Sequence, residues 1–186
     1  NNERHLVVIS GPSGCGKDTV VKHLCKEHPD IEVSVSATSR QPRAGEKEGV
    51  NYYFLTREGF EQKIAAGEIL EYTEYCGNYY GTLKREVDKR IQQNKTVVLV
   101  IEVEGAANLR RMYPECTTIF IRPPSYEELR ERLMGRGTED EASIRRRLAR
   151  AVEEMEYAAE YHYVVINSVI AECAEEIYNI IQQRLK

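Results

Sequence analysis

The sequence predicts an α/β fold: a parallel sheet flanked by helices on both faces, carrying two inserts. Three observations predict it. Short β-branched apolar runs recur along the chain and alternate with helical patterns, as buried parallel strands joined by helices do. The first run leads straight into a glycine-rich turn, Gly11-Pro-Ser-Gly-Cys-Gly-Lys-Asp-Thr19, and then into a helical pattern. Two segments, 32–82 and 125–155, break the alternation and read as inserts on the core.

In chain order, His5–Ser10 reads as a buried strand and Thr19–Glu27 as a helix. Residues 32–82 are rich in Tyr, Gly and Thr and read as short antiparallel strands around one helix, Arg57–Ala66. A helix over Leu83–Gln93 precedes a strand over Thr96–Val103, and a helix over Ala106–Tyr113 precedes a strand over Thr117–Ile121. The second insert holds a helix over Tyr126–Met134 and one over Glu141–Tyr161, with starts marked by the capping boxes Ser125-x-x-Glu128 and Thr138-x-x-Glu141. It is dense in arginine, at 130, 132, 136, 145, 146, 147 and 150. A last strand, Tyr163–Ile166, and a last helix, Ala171–Leu185, complete the pattern. Open α/β sheets bind ligands beyond the carboxyl ends of their strands, so function is expected between the loop at 11–17 and the inserts.

Composition narrows the classes. A chain of 186 residues, 41% hydrophobic and 30% charged, suits one globular domain. A net charge of -4 gives no reason to expect nucleic acid or a membrane surface as partner. No apolar run approaches the roughly 20 residues of a membrane span. No secretory leader is visible, on a chain whose first residue is Asn. Five cysteines, at 15, 25, 76, 116 and 173, form no C-x-x-C pair and read as reduced thiols of a cytoplasmic protein. Four scattered histidines, at 5, 23, 28 and 162, suggest neither a metal cluster nor a Ser/His/Asp arrangement.

The glycine-rich turn has a physical reading as a phosphate site. Strand, turn and helix start place backbone N–H groups around an anion, and the helix dipole adds to the attraction. Gly11, Gly14 and Gly16 allow the tight path and positive φ angles, and Lys17 supplies a point charge to the β- and γ-phosphates. The usual pattern has Ser or Thr after that lysine. Here the place holds Asp18, read either as an oxygen ligand for Mg²⁺ or as an acid that stabilises a helix start.

Further motifs carry a resemblance. Ser34-Val-Ser-Ala-Thr-Ser-Arg-Gln-Pro-Arg43, then Ala-Gly-Glu, then Gly49-x-x-Tyr52-Tyr-Phe54 resembles the guanylate kinase signature. So do Ile69-Leu-Glu71, Gly77-Asn-Tyr-Tyr-Gly-Thr82, Ile101-Glu-Val-Glu-Gly105, Phe120-Ile-x-Pro-Pro-Ser125, Arg132-Leu-x-x-Arg136-Gly-Thr138 and Arg147-Leu148. The match runs in order along nearly the whole chain. The resemblance implies a core P-loop domain over 1–33, 83–124 and 156–186, a GMP-binding domain over 34–82 and a helical lid over 125–155. It implies transfer of the γ-phosphoryl group of ATP to GMP, and to dGMP, with Mg²⁺, and closure of the inserts over the substrates.

The same resemblance assigns residues. The ATP phosphates fall to Gly11, Pro12, Ser13, Gly14, Cys15, Gly16, Lys17, Asp18 and Thr19, and adenine to Asn167. Lys17, Arg132, Arg136 and Arg147 are the cations expected at the transferred group, with Arg40 and Arg43 at the acceptor phosphate beside Tyr52, Tyr80 and Ser36. Glu71, Thr82 and Glu102 are expected at guanine. Chemistry supports the Glu71 assignment: guanine presents N1–H and a 2-amino group side by side, and one carboxylate can accept both. Two other readings stay open: a catalytically inactive phosphopeptide-binding module of the same fold, and a kinase for another phosphorylated acceptor. Retention of Lys17 and the lid arginines favours the enzyme, and Glu71 with Thr82 favours guanine. A monomer or a homodimer is expected.

Overall fold

The run Leu-Val-Val-Ile-Ser forms β1 (Leu6–Ser10), and every one of its residues is buried. In the computed structural model, which describes residues 2–12, 14–135 and 140–186, β1 lies at the centre of a five-stranded sheet. Its neighbours are β7 (Thr96–Val100) and β8 (Thr117–Arg122), with β2 (Ile31–Val33) and β9 (Tyr163–Ile166) at the edges, all parallel.

Alternation of side chains builds two cores. Val7 and Ile9 face one side, where they pack with Val20, Val21 and Leu24 of α1 (Lys17–Glu27) and Ile177 of α7 (Ile170–Leu185). Leu6 and Val8 face the other side, against Val87 of α3 (Lys84–Gln92) and Leu109 of α4 (Val103–Met112). A strand buried on both faces must be apolar throughout, which is why β1 shows no polar alternation.

The first insert forms a second sheet, in the order β4-β3-β6-β5. It comprises β3 (Ala37–Thr38), β4 (Tyr53–Phe54), β5 (Ile69–Tyr75) and β6 (Asn78–Leu83), with α2 (Arg57–Ala65) packed through Phe60. Cys76 and Gly77, with φ of 51° and 80°, make the tight turn between β5 and β6. Buried Glu86 ties this insert to the core. It accepts from Tyr53 Oη at 3.0 Å and from Arg90 at 2.9 Å, and Arg90 reaches Glu32 at 3.0 Å. The second insert is the helix pair α5 (Tyr126–Met134) and α6 (Glu141–Met155), closed by Leu129, Leu133, Leu148 and Ala151.

Several elements differ from the sequence reading. β7 stops at Val100, because Glu102 already stands as the extended residue that begins α4. Residues 31–33 form a core strand, paired in parallel with β7. Within the insert, β3 and β4 pair in parallel, whereas antiparallel strands were expected. α6 ends at Met155 and tightens into a 3-10 turn over Glu156–Glu160. Its N-cap is Asp140, whose carboxylate accepts from the Ser143 amide at 2.7 Å. The expected cap at Thr138 lies outside the described residues. Among the described residues no helix is long and apolar enough to cross a membrane.

Candidate active site

The loop between β1 and α1 lies at the carboxyl end of the central strand. Strand order switches there: β7 flanks β1 on one side and β8 on the other. Two glycines are required for different reasons. Gly16 has φ of 79° and forms the N-cap of α1. Gly11 lacks a positive φ, but a Cβ on it would lie 2.4 Å from the Ile121 carbonyl oxygen, so close approach to β8 excludes a side chain. Among the described residues no side chain caps the first turn of α1, which suits that helix start to an anion.

Lys17 folds over the loop and donates to the Gly11 carbonyl at 3.1 Å. Cys15 is fully buried, and burial pushes its thiol up, so it acts as a packed wall of the loop. Its carbonyl accepts from Asn167 Nδ2 at 2.8 Å and from Arg132 at 3.2 Å. Arg132 also donates to the Asn167 carbonyl at 3.1 Å and to Glu128 at 2.9 Å. Asn167 is only 2% exposed, so in this structure its side chain braces the loop and presents little surface to a base.

Two cavities open beside the loop. One, of about 610 Å³, is bordered by Asp18 on α1, by Val100, and by Ser36, Glu46, Tyr52 and Thr82 from the first insert side. Asp18 is exposed and makes no hydrogen bond or ion pair among the described residues. The other, of about 290 Å³, is lined by Gly11, Lys17, Glu102, Arg147, Arg150 and Glu154. Thr19 is exposed on α1, and Pro12 is buried and accepts from the Cys15 amide at 3.2 Å. Ser13 and Arg136 lie outside the described residues.

On the insert side, Arg40 is gripped by Glu46 through two bonds of 2.8 and 3.0 Å, and its guanidinium lies 5.3 Å from the centre of the Tyr52 ring. Glu46 also accepts from the Arg43 amide at 2.7 Å. Arg40 beside it holds the Glu46 carboxyl down at about 2. The Arg43 side chain is exposed, and Tyr80 packs edge-on to Tyr52 at 6.1 Å. Glu71 sits behind Thr82, 9% exposed, accepting from the Thr82 hydroxyl at 2.7 Å. Burial pushes its carboxyl up; the Thr82 bond opposes this and Glu102 adds to it. Glu102 itself faces the Lys17 cavity, 3.7 Å from Arg150.

Comparison with known proteins agrees with this architecture. A family model described as guanylate kinase matches residues 3–184. The chain belongs to the guanylate kinase family. A guanylate kinase of Clostridium perfringens (strain SM101 / Type A) is 45% identical over 181 residues, 97% of this chain and 84% of the relative. One from Synechocystis sp. is 47% identical over 176 residues, 95% of this chain and 92% of the relative. The crystal structure of guanylate kinase from Anaplasma phagocytophilum matches with a TM-score of 0.74 and 36% identity, over 97% of this chain and 86% of that one.

Within this guanylate kinase fold, three contributors escaped the sequence reading: Glu46, Glu154 and Glu86. Glu46 stood inside the quoted Ala-Gly-Glu motif without a role, yet it fixes Arg40. Arg150 and Glu154, four apart on α6, border the Lys17 cavity as a pair at 3.8 Å. Their i,i+4 spacing was visible, but the same spacing marks any solvated helix face. Glu86 carried no signal, because Tyr53, whose hydroxyl it accepts from, lies 33 positions away, and its i,i+4 pair with Arg90 looks like any helix-face pair.

Proposed function

We propose that this chain is an ATP:GMP phosphotransferase that forms ADP and GDP, and that dGMP is also accepted. One observation carries the proposal: Asp18, the α1 residue that follows the loop lysine, and the insert residues Ser36, Tyr52 and Thr82 border a single cavity. A donor site and an acceptor site that share one space suit direct transfer. A phosphate oxygen of GMP attacks the γ-phosphorus, and the bond to the bridging β,γ-oxygen breaks, so no protein nucleophile is needed. Charge spreads over the three equatorial oxygens of the transferred group, so catalysis is mostly positioning and cationic stabilisation.

Each residue then has a task. The amides of the 11–17 loop and Lys17 hold the ATP phosphates, with Arg132, Arg147 and the lid residue Arg136 as further cations. Arg40 and Arg43, with Tyr52, Tyr80 and Ser36, hold the acceptor phosphate. Glu71 and Thr82 read guanine through its N1–H and 2-amino donors, and adenine lacks both. Residues 34–82 are the acceptor-binding domain and 125–155 the lid, on a core of 1–33, 83–124 and 156–186. The cytoplasm, where cysteines stay reduced, suits the five free thiols.

Asp18 fits magnesium. Its carboxylate borders the cavity and has no hydrogen bond or ion pair among the described residues, and Mg²⁺ is usually held by one or two carboxylates together with substrate phosphates. When bound, the ion would neutralise charge on the β- and γ-phosphate oxygens. Among the described residues no group of three His, Cys, Asp or Glu forms a self-sufficient metal cage.

A coupled assay of ADP release with GMP, dGMP, AMP, UMP and CMP tests the proposal. Turnover with GMP and dGMP and little with the others is expected. Strong turnover with AMP or a pyrimidine monophosphate would place the acceptor elsewhere, and no turnover with any would return the phosphopeptide module.

A further inference from the structure

We propose that this nucleotide site has exchanged its two metal-facing side chains: the carboxylate stands on the loop helix at Asp18, and the strand end that borders the same cavity carries the apolar Val100. The inference rests on the Mg·ATP reading above. Phosphate-loop enzymes hold Mg²⁺ with a Ser or Thr after the loop lysine and an Asp of the adjoining strand. Here both places depart from that pattern, in opposite senses. Asp18 follows Lys17. The five core strands end on Val33, Val100, Ser10, Arg122 and Ile166, and none of these is an acid.

The geometry connects the two departures. Val100 pairs with Ile9 in the parallel register of β7 and β1, and the Ile101 amide donates to the Ile9 carbonyl at 3.1 Å. β7 therefore ends alongside the point where β1 enters the phosphate loop. Asp18 and Val100 both border the cavity of about 610 Å³. The first acid after β7, Glu102, does not border it; Glu102 lines the Lys17 cavity and is balanced by Arg150.

Charge explains why the departures belong together. A carboxylate at both places would put two negative charges beside the polyphosphate, and a carboxylate at neither would leave the cation phosphate, water and Glu46, whose carboxylate is already held by Arg40. One acid and one uncharged neighbour keep the site's charge, whichever element carries the acid. Asp18 and Val100 are then energetically coupled, and a carboxylate restored at position 100 replaces the one removed from position 18.

The test is calorimetric titration of ATP, with Mg²⁺ and with EDTA, into wild type, Asp18→Ser, Val100→Asp and the double variant. The readout is the ratio of ATP affinity with metal to affinity without it. Repulsion of metal-free phosphates predicts that Asp18→Ser lowers this ratio by about fivefold or more, and that Val100→Asp raises it by a similar factor. The double variant should return to within about twofold of wild type. A double variant no closer to wild type than Asp18→Ser overturns the exchange. Val100 is half-buried, and an acid there can unfold the chain. A second measurement therefore leaves the strand intact: electron paramagnetic resonance of Mn²⁺ binding to the ATP complex of wild type, Asp18→Asn and Glu102→Gln. Mn²⁺ affinity should fall about fivefold or more in Asp18→Asn and less than about twofold in Glu102→Gln. The reverse order, or equal losses, overturns the proposal. GMP turnover by the wild type separates the two levels: intact turnover without coupling leaves the enzyme and removes the exchange, whereas coupling without turnover does the opposite.

Discussion

Lys17 on the donor side and Arg40 on the acceptor side both have partners in this structure, but of different kinds. Lys17 donates to a neutral carbonyl, that of Gly11. Arg40 is held by a carboxylate, through both ends of its fork, and is packed beside the Tyr52 ring. The donor side thus keeps its charge and leaves a flexible side chain free to move. The acceptor side balances its charge and fixes the plane of its guanidinium. This division suits the task. A group that follows a moving phosphoryl needs mobility, and a group that orients a stationary phosphate needs a fixed fork.

The largest expected effect breaks the donor side. Lys17→Met keeps the length of the side chain and removes its charge. Turnover should fall by about two orders of magnitude or more, as when other charges that stabilise a transition state are removed. The fold should persist, since among the described residues Lys17 makes one hydrogen bond, to the loop itself. Steady-state kinetics alongside circular dichroism checks both halves, and turnover near that of wild type would remove this loop from catalysis.

On the acceptor side the telling change is Arg40→Lys, which keeps charge and destroys the fork. If geometry matters more than charge there, GMP efficiency should drop about thirtyfold, because a point charge cannot bridge Glu46 and a phosphate at once. The KM for ATP should change little. An Arg40→Lys enzyme with wild-type GMP kinetics would show that the two sides use their cations alike.

The contrast was partly legible in the sequence, and its limits have physical causes. Core strands were visible because burial on both faces requires unbroken apolar runs, as in Leu6–Ser10 and Thr117–Arg122. The insert was less visible. Two-residue strands such as Ala37–Thr38 are too short to show either the unbroken apolar run of a buried parallel strand or the alternation of an antiparallel one. The end of β7 was missed for a related reason. The apolar run continues through Val103, but Glu102 turns the chain into a helix whose first residue happens to be β-branched. At the site, residue types and spacing pointed to the loop, whereas Glu71 was assigned through the family resemblance. The partner that fixes Arg40 came only from the fold of the 40–46 segment, and the inward bracing role of Asn167 depends on contact with a loop 152 positions away.

Glu71 sharpens the comparison through pH. Its carboxyl is raised above the ordinary value near 4.5, chiefly by burial. The fold thus favours the protonated form, and that contribution to stability is present below the unfolded value and lost as pH rises through the raised one. Guanine recognition needs the ionised form. The GMP efficiency should therefore show an acid limb above the usual carboxylate range, while ATP binding shows none from this group. Glu71→Gln should remove that limb and lower GMP efficiency about tenfold, since a mismatched buried polar contact costs about 1–3 kcal/mol. Equal losses for ATP and GMP would make Glu71 a structural acid.

The smallest effects concern the helices that carry each side. Ser125 caps α5 on the donor side, accepting from the Glu128 amide at 3.1 Å, and Thr56 caps α2 on the acceptor side, accepting from the Gly59 amide at 3.0 Å. Replacing either by Ala should cost about 1 kcal/mol, as loss of an N-cap usually does. For a chain of this size that lowers Tm by about 2–4 °C in either variant. Their kinetic consequences should differ. Glu128 and Arg132 stand four residues apart on α5, so a frayed start loosens the pair that holds Arg132 against the loop. Ser125→Ala should therefore raise the KM for ATP by about twofold, the scale of a fraction of a weak helical ion pair. No residue of α2 borders the nucleotide cavity, so Thr56→Ala should leave both KM values unchanged while melting at the same lowered temperature. If both variants shift ATP and GMP kinetics equally, the two sides share one stability, and the division between a mobile donor side and a fixed acceptor side is not built into their supporting helices.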